Sequence, residues 1–187
     1  MKFILIVIVA LFSSCSKPAI EAQRSPTTHP EEFTPLLRAG WPPEGRARVV
    51  GYRYDIPSGS YSAELLYHEP GSDQYRLHHT KLVELARASK DLTVQQTNRL
   101  LKATFNSEGH TGFGACYQPH HLFVFYAPDG SVSQAIEICF ECRMITVAPV
   151  PLAGHQPTAN LKELAVLCSE LGLWSASESP ADYSSKL

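Results

Sequence analysis

Apolar and polar positions divide the chain into short strands and two amphipathic helices. Leu122-Phe123-Val124-Phe125-Tyr126 is an unbroken run of aromatic and β-branched residues, too short for a stable helix and typical of a strand buried on both faces. Val132 to Ile138 then alternates, with Val132, Gln134, Ile136 and Ile138 at every second place. Between the two lies Ala127-Pro128-Asp129-Gly130. Proline presets a turn φ, aspartate tolerates left-handed geometry, and glycine accepts positive φ without steric cost. The pattern predicts a β-hairpin, about 121–126 and 132–140. A symmetric pairing about the turn sets Tyr126 opposite Ser131, Gln118 opposite Cys139 and Cys116 opposite Glu141.

Two helices are predicted, about 93–106 and 160–171. Thr93 with Gln96 forms a capping box, and Val94, Leu100, Leu101 and Phe105 follow on one face. Leu161, Leu164, Ala165, Cys168 and Leu171 line the second helix, which Gly172 closes. Arg46 to Ile56 has strand character, Pro57-Ser58-Gly59-Ser60 reads as a turn, and Tyr61 to His68 as the returning strand. Tyr75 to Thr80 and Arg143 to Ala148 are further strand candidates, while Leu82 to Ala88 suits either a helix turn or a strand. Strands dominate and do not alternate regularly with helices. The expectation is an α+β fold, an antiparallel sheet of about five strands with the hairpin at its centre and two packed helices.

Charge changes this picture little. With 16 basic and 18 acidic residues the chain is near neutral, and no basic cluster points to nucleic acid. The N-terminus changes it more. Lys2 precedes an apolar run from Phe3 to Phe12, about half the length that spans a bilayer, so it reads as the core of a secretory signal. Phe12-Ser13-Ser14-Cys15 resembles the lipobox of bacterial lipoproteins, with Phe12 where leucine is usual. The resemblance implies a signal peptide at 1–14, a lipidated Cys15 and attachment to a membrane. Ser16 after the cysteine implies an outer-membrane destination facing the periplasm if the host has two membranes. Residues 15–45, with Pro18, Pro26, Pro30, Pro35, Pro42 and Pro43, read as a lipidated, proline-rich tether. Phe33, Leu36, Leu37 and Trp41 within it are able to pack back on the domain. A single α+β domain at 46–174 and a serine-rich, disordered tail at 175–187 complete the expected organisation.

Candidate chemistry gathers at the open end of the hairpin. Cys116, His120, His121, Cys139 and Cys142 all fall there. One reading places a zinc ion among Cys139, Cys142, Cys116 and either histidine, since thiolate and imidazole are zinc's preferred ligands. A second reading oxidises the cysteines, as an exported protein permits, worth on the order of 3 kcal/mol for a disulfide closing such a hairpin. A third makes Cys139 and Cys142 a redox pair, against which stands the strand-like sequence after Cys142. Cys168 reads as a buried core thiol and His78-His79 as a solvated pair. Glu108, Glu137 and Glu141 flank the cysteines. No G-x-S-x-G, H-E-x-x-H or glycine-rich phosphate loop occurs.

The segments Cys116-Tyr117-Gln118-Pro119-His120-His121 and Glu137-Ile138-Cys139-Phe140-Glu141-Cys142 resemble a C-x-x-P-x-H … I-x-x-C-x-x-C pattern found in uncharacterised bacterial proteins, many of them lipoproteins. The resemblance implies that the cysteines act as a unit with His121, and His120 stands where that group has arginine. It assigns no activity. The expectation is a membrane-anchored lipoprotein with a Cys/His cluster that binds structural zinc or forms disulfides. The alternatives are a thiol redox or metal-dependent envelope enzyme, and an envelope interaction or immunity protein using the aromatic strands at 46–68.

Overall fold

Both hairpin strands are buried along their whole length, and they form the middle of the sheet. The computed structural model describes residues 34–35, 41, 48–56, 60, 63–68, 75–105, 118–149 and 158–174. In chain order the elements are β1 (Thr34–Pro35), β2 (Arg48–Tyr54), β3 (Leu66–His68), β4 (Tyr75–Leu77), α1 (His79–Leu85), β5 (Ala86–Asp91), α2 (Val94–Thr104), β6 (His121–Tyr126), β7 (Val132–Cys139), β8 (Met144–Ala148) and α3 (Leu161–Glu170). Five strands form an antiparallel sheet in the order β5-β2-β6-β7-β8, and β1-β4-β3 form a second, smaller sheet. The fold is α+β, as the pattern predicts.

The two faces of the large sheet bury different sets of residues. Phe123, Phe125, Ile136 and Ile138 face α2 and α3, joining Leu164 and Leu167 in one core. Leu122, Val124 and Ala135, the alternate positions, pack with Leu65, Leu77 and Leu82 of the other layer. Each large apolar side chain so enclosed contributes about 1.5–3 kcal/mol. Gly51 on β2 belongs to this packing. A Cβ there would lie 2.8 Å from both Leu173 Cδ1 and the Phe123 ring, so only glycine lets them close over the strand.

Local sequence explains most boundaries. The Thr93 hydroxyl accepts from Gln96 N at 3.2 Å and the Gln96 side chain accepts from Thr93 N at 2.9 Å, the predicted capping box. Asn160 caps α3, and Gly172 ends it at φ 69°. Arg99 of α2 ties the helices together through Glu163 at 2.8 Å and Glu170 at 2.5 Å.

Three expectations are corrected. β3 does not return against β2 but pairs with β4, and the true neighbours of β2 are β5 and β6. The fifth strand of the sheet is β5, ARASKD, which lies at an edge with most side chains in solvent and so lacks an apolar stripe. A third helix, the seven-residue α1, joins the two expected ones, its start capped by the His78 ring accepting from Lys81 N. Part of the 15–45 segment packs back on the domain, as the apolar residues within it allow. β1 pairs with β4, and the Trp41 indole donates to Pro149 O at 2.8 Å while packing edge-on against Phe125. Cys15, Cys116, the signal segment, the 106–117 loop and the 175–187 tail lie outside the described residues.

Candidate metal or thiol site

The β7–β8 connection sets the geometry of the two C-x-x-C cysteines. Cys139 closes the ladder opposite Met144, and only Phe140 to Arg143 lie between. So tight a reversal requires one residue in left-handed backbone, and Arg143 takes it at φ 55°. The chain thereby folds back until Cys142 N–H donates to Cys139 Sγ at 3.3 Å. Both cysteines are free and buried, with exposures of 1% and 6%. The turn through Phe140 and Glu141 is thus the device that overcomes strand alternation, which would otherwise send residues three apart to opposite faces.

The register of β6 against β7 decides which histidine accompanies them. His121 pairs with Ile138, and the ladder slips at Phe125/Tyr126, so the next position in line sets His120 opposite Cys139. The symmetric pairing placed Gln118 there. Tyr126 pairs with Val132, one place beyond Ser131, and the irregularity at Phe125/Tyr126 adds one more, so the partner shifts by two residues and the faces are preserved.

His121 is not brought to Cys139. It points with Phe123 and Ile138 to the helix-covered face, whereas Cys139 alternates with Ile138 and Phe140 to the other. Its Nε2–H donates to Leu173 O at 3.0 Å, and its ring packs against Phe140 and Trp174 at centroid distances of 5.1 and 5.0 Å. Nδ1 is buried without a partner. Burial above all, then the nearby Arg53 guanidinium, lowers its pKa to about 3, so the ring is a neutral core residue. His120 leans the other way. Its Nδ1 lies 3.2 Å from Tyr54 O, and because a carbonyl only accepts, Nδ1 carries the proton and the lone pair is on Nε2.

Tyr54 and Glu137 were not singled out as a pair by the sequence, yet they occupy the same face beside the turn. Tyr54 Oη donates to Glu137 Oε1 at 2.7 Å, both groups being buried. The legible signal was an acidic residue inside an otherwise apolar strand, Ala135-Ile136-Glu137-Ile138. Towards the other end of this face, Tyr52 Oη meets Tyr126 Oη at 3.1 Å, and Tyr126 Oη lies 3.4 Å from His79 Nε2. His79 is therefore half-buried and partnered, not the solvated residue expected. Cys168 is fully buried on α3, and burial pushes its thiol up, as a core thiol requires.

Among the described residues, no three Cys, His, Asp or Glu side chains gather closely enough to hold a metal ion. The turn assembles Cys139 with Cys142, and the register sets His120 across from Cys139 with its ring turned towards β2. No described helix is long and apolar enough to cross a membrane. A scan against protein-family models and searches of curated proteins and of solved structures find no match to this chain.

Proposed function

We propose that this protein is a bacterial envelope lipoprotein, anchored through Cys15, whose domain uses Cys139 and Cys142 as the thiolate pair of a structural zinc site. One observation carries the reading: the Cys142 amide donates to Cys139 Sγ from a turn closed by left-handed Arg143. A metal-bound thiolate keeps residual negative charge, and an amide aimed at sulfur complements it. His120, across from Cys139 by register, is the imidazole we assign, and it would have to turn from Tyr54 O on β2 to join. Cys116 is the fourth ligand we assign, on the resemblance to the C-x-x-P-x-H … I-x-x-C-x-x-C proteins. The zinc would supply a fixed crosslink between two stretches of chain, stabilising the fold without chemistry on a substrate.

Zinc analysis and thiol counting on protein purified from the periplasm, with the chain otherwise intact, test the proposal. One zinc per chain, lost in Cys139→Ser and in Cys142→Ser, is the expected result. No zinc, with unreactive thiols after unfolding, would replace the metal by a disulfide. Labelling with radioactive palmitate tests the anchor separately: Cys15→Ala should abolish incorporation.

A further inference from the structure

β5 is an outer strand of the large sheet, paired on one side with β2 and, among the described residues, with no strand on the other. Arg87, Ser89, Lys90 and Asp91 are exposed, so this edge is open to solvent. Leu92 N–H donates inwards to Val49 O at 2.9 Å, and inward and outward bonding alternates along an antiparallel strand. Ala88 and Lys90 therefore bond to β2, while Ser89 and Asp91 turn their N–H and C=O groups outwards. An open edge is a template for a further strand, and proteins blunt it with proline, charge, bulges or short length. β5 has six residues and no proline, and its one irregularity lies at the Arg87 end, opposite Arg53 and Tyr54. Its charges are Arg87, Lys90 and Asp91, and their order decides what the edge admits.

We propose that β5 docks a second copy of this chain, pairing antiparallel with its own counterpart about a two-fold axis at Ser89. The inference is independent of the metal reading. In this register the two Ser89 residues exchange backbone hydrogen bonds, and each Asp91 lies across from Arg87 of the other copy. Opposite charges directly across an antiparallel pair stabilise it, and like charges repel. Centring the pair on Lys90 or on Asp91 sets lysine against lysine or carboxylate against carboxylate, so the charge order selects Ser89. Within one copy Arg48 holds Asp91 at 2.6 Å and Asp55 holds Arg87 at 2.7 Å. Pairing extends these into a row of alternating sign: Arg48 and Asp91, then Arg87 and Asp55 of the second copy. Lys90 lies across from Ala88, whose small side chain leaves room for the lysine stem. Every contact occurs twice, as an isologous interface requires. The axis runs perpendicular to the sheet, so the two five-stranded sheets become continuous and both copies keep α2 and α3 on the same side.

Sedimentation equilibrium of the full-length chain in density-matched detergent tests the pairing. The expected result is a reversible monomer–dimer equilibrium whose Kd rises about tenfold in Arg87→Asp alone and in Asp91→Arg alone, because each sets like charges across the axis twice. An equimolar mixture of the two variants recovers the dimer, since each supplies the charge that the other lacks. Recovery separates the interface from harm to the Arg48 and Asp55 pairs, which stay broken in the mixture. Ser89→Pro removes an N–H that β2 does not use, and abolishes the dimer while the monomer keeps its melting temperature. A chain that stays monomeric at every concentration overturns the proposal and leaves the edge to an extended segment of a different protein. A dimer that none of these variants weakens, or a mixture that fails to recover, overturns it equally. If Ser89→Pro does not fold, the charge variants and their mixture decide alone.

Discussion

The two faces of the central sheet are built from the same strands and do different work. On the helix side, β6 and β7 present Phe123, Phe125, Ile136 and Ile138, and even the histidine that falls in this row is dehydrated and neutral. On the other side the same strands present Glu137, Cys139 and Tyr126 among the aliphatic residues, and hydroxyl, carboxyl and sulfur groups find partners there. His120 and His121 make the comparison sharp, since neighbouring residues send one ring into the solid core and the other towards Tyr54 O. Alternation along a strand is enough to separate an apolar face from one that carries polar groups.

The largest expected effect is on the scaffold side. Phe123→Ala empties a site with no solvent exposure and should lower unfolding free energy by about 3–5 kcal/mol in a denaturant titration. A loss below ~1 kcal/mol would mean that this face is not the solid one. Acid should act next. The folded pKa of His121 lies near 3, below the ordinary value of 6.5, so between these limits the unfolded chain binds more protons and stability falls as pH falls. By pH 5 the loss from this group reaches about 2 kcal/mol, and His121→Phe should flatten the dependence, measured by denaturation at a series of pH values. Gly51→Ala forces a Cβ against Leu173 and Phe123 and should cost about 1–3 kcal/mol, read as a lowered melting temperature. Tyr54→Phe probes the polar side. Removing the hydroxyl that donates to buried Glu137 should cost about 1–2 kcal/mol, and an unchanged melting temperature would show that face to be indifferent to the bond. Smallest is Arg99→Ala, whose carboxylate partners are exposed, with an effect within about 1 kcal/mol that salt erases.

Much of the architecture was legible because local rules and packing agree there. The β6–β7 hairpin, the Thr93 capping box and the apolar face of α3 each carry a physical signal within a dozen residues. β5 carried none: Ala86 to Asp91 holds no β-branched or aromatic residue, and only its neighbour β2 makes it a strand. The partner of β2 was misread for a related reason, since adjacency in sequence favoured residues 61–68 while hydrogen bonding favoured β5 and β6. At the candidate site, residue types were readable and facing was not. The slip at Phe125/Tyr126 cannot be foreseen from turn composition, and it helps to set His120, not Gln118, across from Cys139. The turn at Phe140-Glu141 has its signal in the C-x-x-C spacing itself, because a straight strand sends residues three apart to opposite faces.

The reach of Trp41 into the domain has a practical bearing on how the protein is cut for study. A version begun at residue 46, where strand character starts, would discard β1 and strip an indole from Phe105 and Phe125. Two aromatic rings would then meet solvent, and such trimmed material is expected to clump at concentrations where protein begun just after Cys15 stays dispersed.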